Sequence, residues 1–446
     1  MAVSGNVAVL PAREYWRYGL LVAIGVLLII AVRVHELVPQ LAPIRPAIIF
    51  GYGGTALLLM NSSDRVIADA IRNPVMRLVA LYFTWAAVTA PLALWVGLAA
   101  DTVKGLMAAM LPVVALMLVR PGREQLHRLQ VVLVSATFLI ALKLLVSWSG
   151  GRLSQGASFD SNDVASLMAI MLPLALGLAI RARGWHRVLG AVAAFAFIFT
   201  AIRTGSRGGT LAVAAAAVVY VLGFPGHRRI IAVVLFMVGS LVTWQLAPAG
   251  FRERMISLRT IEQDYNYTSY GGRKQIWQRA REYIRENPVM GVGAGNFPIR
   301  EGNECTARGM RCKWSATHNA YLQAGAELGL VGLALYIGML LAAAKQVYPF
   351  WRRRKGAPPE EPHQPELLAC LLGFAAGAYF LSHAYFYPMF GVLGLCAYAG
   401  RVRVTEMATG RAGAAAVIVH QLRSGWRTTL SRRPGRTRAF GRSVAR

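Results

Sequence analysis

A histidine stands in Thr317-His318-Asn319-Ala320-Tyr321, where a long polar segment gives way to apolar sequence. Ser315 or Thr317 can cap a helix beginning there, which would put His318 in its first turn. A helix N-terminus and cationic surroundings both disfavour imidazolium, so this ring is expected to be neutral at pH 7 and able to take a proton. Arg207 lies in Thr204-Gly205-Ser206-Arg207-Gly208-Gly209, bracketed by glycines that let backbone approach a ligand, and Arg203 one turn earlier could serve the same anion. Arg273 opens a helical pattern on its apolar side, where an arginine must snorkel or face a partner. Phe159-Asp160-Ser161-Asn162-Asp163 precedes another apolar block and reads either as an Asx turn and helix cap or as part of a ligand site. Arginine forks grip phosphate and a neutral His can deprotonate a hydroxyl. Together these residue types suit transfer of a group from a phosphate or pyrophosphate leaving group to an alcohol, with guanidinium stabilising the developing charge. The plainer readings stay open: an interfacial histidine bonded to backbone, and arginines in a glycine-rich turn at a membrane edge. A metal site is disfavoured, since Asp160 and the Glu262-x-Asp264 pair each lack further ligands.

The elements that must hold these residues are set by hydropathy. Hydrophobic residues make up 56% of 446 positions and charged residues 15%, which is too apolar for one soluble chain of this length. The apolar residues fall into blocks near the length of a membrane-crossing helix. The clearest cover 18–32, 78–99, 131–148, 188–202, 230–246 and 328–344; weaker ones cover 47–60, 105–119, 165–180, 211–222, 367–381 and 386–398. The expected fold is therefore an all-α polytopic membrane protein of about 12 transmembrane helices. Helices one to nine fall in 1–246, a polar segment fills 247–317, helices ten to twelve fall in 318–400, and a basic tail covers 401–446. No small-residue processing site follows the first block before Arg33, so it reads as a retained span.

Lysine and arginine set the orientation. With the N-terminus inside, the short inner segments up to Lys355 hold 18 Lys/Arg, the short outer ones six, and the tail after Tyr398 eleven more. That bias makes both termini cytoplasmic and the 247–317 segment periplasmic. Much of the net charge of +28 is then topology signal and attraction to membrane lipids of an anionic leaflet. Nucleic acid is excluded as a partner, because the basic residues are spread over separate loops.

The long outer segment carries 12 Lys/Arg against seven acids, on the side where few are expected, which points to an anionic ligand. Within it, 272–286 reads as a surface helix. Ile276, Trp277, Ala280, Tyr283 and Ile284 form one stripe, with Lys274, Gln278, Arg281 and Arg285 opposite and Asn287-Pro288 as the stop. Gly291-Val292-Gly293-Ala294-Gly295-Asn296 reads as a tight irregular turn whose N–H groups could face a phosphate. Cys305 and Cys312 flank a short stretch in an oxidising compartment and form a disulfide candidate, whereas Cys370 and Cys396 fall in apolar blocks.

The order Asp160-x-Asn162, Gly205-Ser206-Arg207-Gly208, Gly272-Arg273-x-x-x-Trp277, Asn287-Pro288-x-x-Gly291-x-Gly293 and His318-Asn319 resembles the O-antigen ligase family. That superfamily also holds O-antigen polymerases and bacterial protein O-oligosaccharyltransferases. The resemblance spans about 160–332. It implies an inverting, metal-independent glycosyltransferase of the bacterial inner membrane that uses no cofactor. Such an enzyme moves a glycan from undecaprenyl diphosphate to the lipid A-core at the periplasmic face. By motif, Arg207 and Arg273 resemble the arginines that grip the diphosphate, and His318 resembles the base for the acceptor hydroxyl. Asn319, Asp160 and Asn162 resemble organising residues. Polymerases usually have two sizeable periplasmic loops and protein-glycosylating members a soluble C-terminal portion, so one long loop and a short basic tail favour the ligase. A transporter of lipid-linked glycan is the rival class; it would call for ionisable residues through the midplane and related halves, and only Lys143 lies well inside a clear span.

Overall fold

The computed structural model describes residues 15–150, 153, 159–260, 262, 265–309, 314–351 and 364–430. All regular elements among them are helical. In chain order these are α1 (Gly19–Val26), α2 (Gly54–Met60), α3 (Asp64–Arg72), α4 (Pro74–Thr89), α5 (Val96–Met117), α6 (Arg123–Val146), α7 (Ser161–Arg181), α8 (Trp185–Thr204), α9 (Arg207–Leu222), α10 (Gly226–Leu246), α11 (Ala249–Ile256), α12 (Tyr265–Thr268), α13 (Arg273–Glu286), α14 (Phe297–Ala307), α15 (Ala320–Trp351), α16 (Pro365–Ala378) and α17 (Tyr387–Leu430). The apolar blocks of the sequence fall on helices, but the block 78–99, expected as one span, is divided between α4 and α5 at residues 93–95. Seven helical stretches among the described residues are long and apolar enough to cross a membrane, and four more apolar helices are shorter. The chain divides into two compact units, Leu10–Arg401, and Val402–Arg446 with Met1–Val9. In the second, the described residues continue α17 as far as Leu430.

Helices α7, α8, α9 and α16 form the tightest part of the larger unit. They approach through small residues. A side chain at Gly373 of α16 would meet the Cβ of Ala216 at 2.5 Å, and one at Gly209 would meet that of Ala165 at 2.2 Å. Lipid offers no hydrophobic driving force between helices, so close van der Waals packing of this kind is what holds them. Helix α10 stands apart and has no buried residue. Between it and α7–α9 lies an apolar cavity of about 730 Å³, lined by residues such as Leu172, Ile198, Val213, Ala217, Leu235 and Met255. Away from the 247–317 segment, Arg401 donates to the carbonyls of Leu116, Met117 and Val119 and so satisfies the end of α5.

The 247–317 segment is not an open loop, because its described residues build α11 to α14. The amphipathic stripe of α13 forms as its spacing predicts: Ile276, Ala280 and Tyr283 pack with Val292, Phe297 and Ala326, flanked by Trp277 and Ile284. One residue departs from the predicted pattern. Arg279 is buried on this face, paired with the buried Glu301 and bonded to the Tyr270 carbonyl. Arg300 pairs with Glu286 and Arg308 with Glu304, so these loop cations have carboxylate partners within the chain. Cys305 is disulfide-bonded; Cys312 lies outside the described residues.

Helix α15 is broken at Gly329, whose φ of 70° and ψ of −174° interrupt the helical ladder. The freed groups are taken up by neighbours. Val292 N–H donates to the Ala326 carbonyl, Gly293 N–H to that of Glu327 and the Trp85 indole to that of Leu328, while Leu330 N–H donates to Pro288. Gly295 and Phe297 N–H groups donate to the Glu327 carboxylate. The glycine turn at 291–295 therefore directs N–H groups at the chain's own carboxylate and carbonyls, not at an exogenous phosphate. A Cβ at position 329 would lie 2.0 Å from the Val289 carbonyl oxygen. We expect Gly329→Ala to lower the melting temperature sharply or to abolish a monodisperse peak in detergent, since contact and backbone strain each cost on the order of 1–3 kcal/mol. Gly250→Ala, where nothing lies within 4 Å, is the control; equal stability of both variants would refute the repair just described.

Candidate functional site

Asp160, Asn162, Arg207, Arg273, His318 and Asn319 stand at or beside the starts of α7, α9, α13 and α15. At the start of α7, Asp160 is the cap. Its carboxylate accepts the N–H groups of Asn162 and Asp163, and its own N–H donates to Asp163. Asn162 then reaches across helices: its Oδ1 accepts the Ser206 hydroxyl at 2.8 Å. Ser206 caps α9 by accepting Gly209 N–H, and Arg207 is the first residue of that helix. The Ser206 cap and its bond to Asn162, 44 residues away, thus fix the place of Arg207.

Arg207 Nη1 donates to Ser257 Oγ at 3.1 Å, and Ser257 in turn donates to the Arg254 carbonyl. The end of α11 folds back over the α8–α9 turn, with the Arg254 guanidinium 3.5 Å from the Gly205 carbonyl. This corner brings a second guanidinium to Arg207 that sequence reasoning passed over. Arg203, by contrast, lies over the rings of Trp148 and Phe199, 4.3 and 5.0 Å from their centroids. Its cation is held by aromatic faces.

His318 does not lie in a helical first turn. Asn319 Oδ1 accepts the N–H groups of Tyr321 and Leu322, so Asn319 is the cap of α15 and His318 precedes it. The Thr317 hydroxyl is engaged instead with the Asn319 carbonyl and with Ser382. His318 has a φ of 49°, in the left-handed region that side chains seldom occupy. Ser382 Oγ accepts its N–H at 2.8 Å, and Trp277 of α13 holds the adjacent Thr317 carbonyl.

Burial holds the His318 ring below the usual histidine range, the nearby Arg273 guanidinium pushes it further down, and the Asp160 carboxylate opposes both. Of the two reasons expected from the sequence, the cationic surroundings act through Arg273; first-turn placement contributes nothing, and burial is the larger cause. Arg273 and Asp160 therefore both lie near the His318 ring. Arg207 joins the group through Ser206, Asn162 and Asp160. A half-buried neutral imidazole flanked by guanidinium groups can accept a proton while an anion is held beside it.

Comparison with known proteins bears on this arrangement. Residues 191–337 match the family described as O-antigen ligase. That stretch includes Arg207, Arg273, His318 and Asn319, whereas Asp160, Asn162 and Ser382 fall outside it. An uncharacterized protein of Haemophilus influenzae is 23% identical over 201 residues, which is 42% of this chain and 50% of that protein. The chain thus spans about half the length of that curated relative.

The electrostatics give a test that needs no substrate. Diethyl pyrocarbonate modifies only neutral imidazole, so the pH midpoint for modifying His318, read by mass spectrometry, should fall below the reference histidine value of about 6.5. Removing the opposing cation in Arg273→Gln should move that midpoint up. Asp160→Asn, which keeps a competent cap, should move it down. A midpoint indifferent to Arg273 would contradict the placement of that guanidinium.

Proposed function

We propose that this chain, whose residues 191–337 match the O-antigen ligase family, transfers O-antigen glycan from undecaprenyl diphosphate to the lipid A-core. Superfamily members are membrane glycosyltransferase-like enzymes. The observation that carries the reading for this chain is the neutral His318 near both the cation Arg273 and Asp160, the latter linked through Asn162 and Ser206 to Arg207. In this reading the site faces the periplasm, as the positive-inside bias implies.

The steps follow from the chemistry of those groups. The donor diphosphate lies against Arg207 and Arg273, with Arg254 near the same corner. The apolar cavity between α10 and α7–α9 takes part of the donor's lipid tail; it reaches Met255, two residues before the serine that Arg207 holds. The acceptor core, anchored in the same leaflet, presents a sugar hydroxyl to His318. The hydroxyl proton passes to the ring, and the oxygen forms a bond to the anomeric carbon from the face opposite the diphosphate. The carbon–oxygen bond to phosphate breaks and its electron pair leaves with undecaprenyl diphosphate, so the anomeric centre inverts. The guanidinium groups stabilise the charge that grows on the leaving group, a role each fulfils only if already in place. Asn319 and Asp160 organise the two helix starts without touching the reacting atoms.

The deciding experiment is lipopolysaccharide banding in a ligase-deficient host with an accepted core, at matched membrane levels of each variant. Wild type should restore the ladder. His318→Ala should lose about 100- to 10,000-fold in transfer, the contribution of a positioned base. Arg207→Ala and Arg273→Ala should lose about 100- to 1,000-fold each, as for removal of one charge-stabilising donor. A ladder restored equally by His318→Ala would end the assignment of the base. A wild-type chain that lengthens lipid-linked glycan, or glycosylates protein, without modifying the core would turn the reading to a polymerase or a protein O-oligosaccharyltransferase.

A further inference from the structure

The connection between α16 and α17 touches both halves of the site. Ser382 accepts the His318 N–H, as described above. The next residue, His383, is 3% exposed and places Nε2 2.8 Å from Oδ1 of Asp163. Asp163 Oδ2 accepts the Asp160 N–H at 3.1 Å, which closes the reciprocal cap of α7. From there the contacts run through Asn162 and Ser206 to the first residue of α9, Arg207.

The surroundings of His383 define what its ring can do. It is stacked on Phe386, with centroids 3.9 Å apart and planes 5° apart, and lies parallel to Phe374 on a 6.1 Å separation. Nδ1 is buried without a hydrogen-bond partner among the described residues. An ionised carboxylate only accepts, so the hydrogen must sit on Nε2 and point at Asp163. The other tautomer would set two acceptors face to face and bury an unpaired N–H, which costs more than burying a lone pair. The ring is thus fixed as a donor with a single target.

We infer that His383 is a positioning residue for the site: through Asp163 it fixes the starts of α7 and α9, and through its neighbour Ser382 it fixes the backbone of His318. Two adjacent residues thereby set the spacing between the base and Arg207, although neither lies within the 191–337 match. This role rests on the glycosyl-transfer reading. A histidine that merely fills space beside two phenylalanines would give a different result, because phenylalanine would then replace it without loss.

The test compares His383→Phe, which keeps the stack and removes the donor, with His383→Gln, which keeps a donor near the Nε2 position. The full chain is placed in nanodiscs of phosphatidylethanolamine and phosphatidylglycerol and assayed for glycan transfer. His383→Phe should lower kcat about 10- to 100-fold, the scale on which a small misplacement of a catalytic group acts, with donor KM within about threefold. His383→Gln should recover to within about fivefold of wild type. Amide exchange on the same samples reads the geometry without the reaction. In His383→Phe the N–H groups of Asn162, Asp163, Gly209 and His318 should exchange at least tenfold faster, while those of residues 280–284 in α13 stay protected. An unchanged kcat in His383→Phe, or an equally slow His383→Gln, overturns the inference. Unchanged exchange at those four amides overturns it as well. Should the wild-type chain transfer no glycan at all, the functional reading falls, and the exchange pattern alone decides whether His383 sets the geometry.

Discussion

The structure depends on a helix that is broken and repaired. Gly329 interrupts α15 at a buried position that water does not reach, and unsatisfied backbone groups there cost on the order of a few kcal/mol each. The neighbours that take up those groups, residues 287–297 and Trp85, are therefore bound to one place. Helix α13 leads directly into that stretch, so seating residues 287–297 also seats α13 and sets Arg273 near His318. Glu327 adds a side-chain anchor by accepting two N–H groups of the same turn. A backbone requirement inside the bundle is thus converted into the position of a cation outside it.

Charge in the 247–317 segment has two functions that composition cannot separate. Arg279 is buried against Glu301, and removing one partner of such a pair leaves the other charge uncompensated, so it is structural. Arg207 and Arg254 sit at the α8–α9 corner, and Arg273 lowers the proton affinity of His318. The first arginine holds α13 to α14, and the others create the potential at the site. What marks Arg279 as structural is the Glu301 carboxylate opposite it, which is a fact of tertiary structure.

Much of the architecture was legible in the sequence because it follows from local rules. Apolar blocks mark the helices, and the 3.6-residue stripe of α13 survives intact. Arg279 belongs to neither stripe read from the sequence, and only the Glu301 carboxylate opposite it explains its burial. The cap of α15 was misplaced by two residues or more, since Ser315, Thr317 and Asn319 are all competent caps and only Ser382, 64 residues away, decides among them. His383 and Asp163 are 220 residues apart and carry no joint signal along the chain. The broken helix was read as a span starting at 328, because the turn of helix before Gly329 contains Glu327 and lowers the apolar count.

Helix α10 has no buried residue and encloses its cavity from one side only. A ligand whose tail lies there enters sideways from the lipid and never leaves the plane of the bilayer. Its encounter with the site is then a two-dimensional problem, governed by its mole fraction among lipids and by lateral diffusion. In detergent the same encounter would be set by how many micelles hold both protein and ligand. Adding more detergent would dilute the reaction even at fixed molar concentrations, so an apparent affinity has meaning only per unit of membrane.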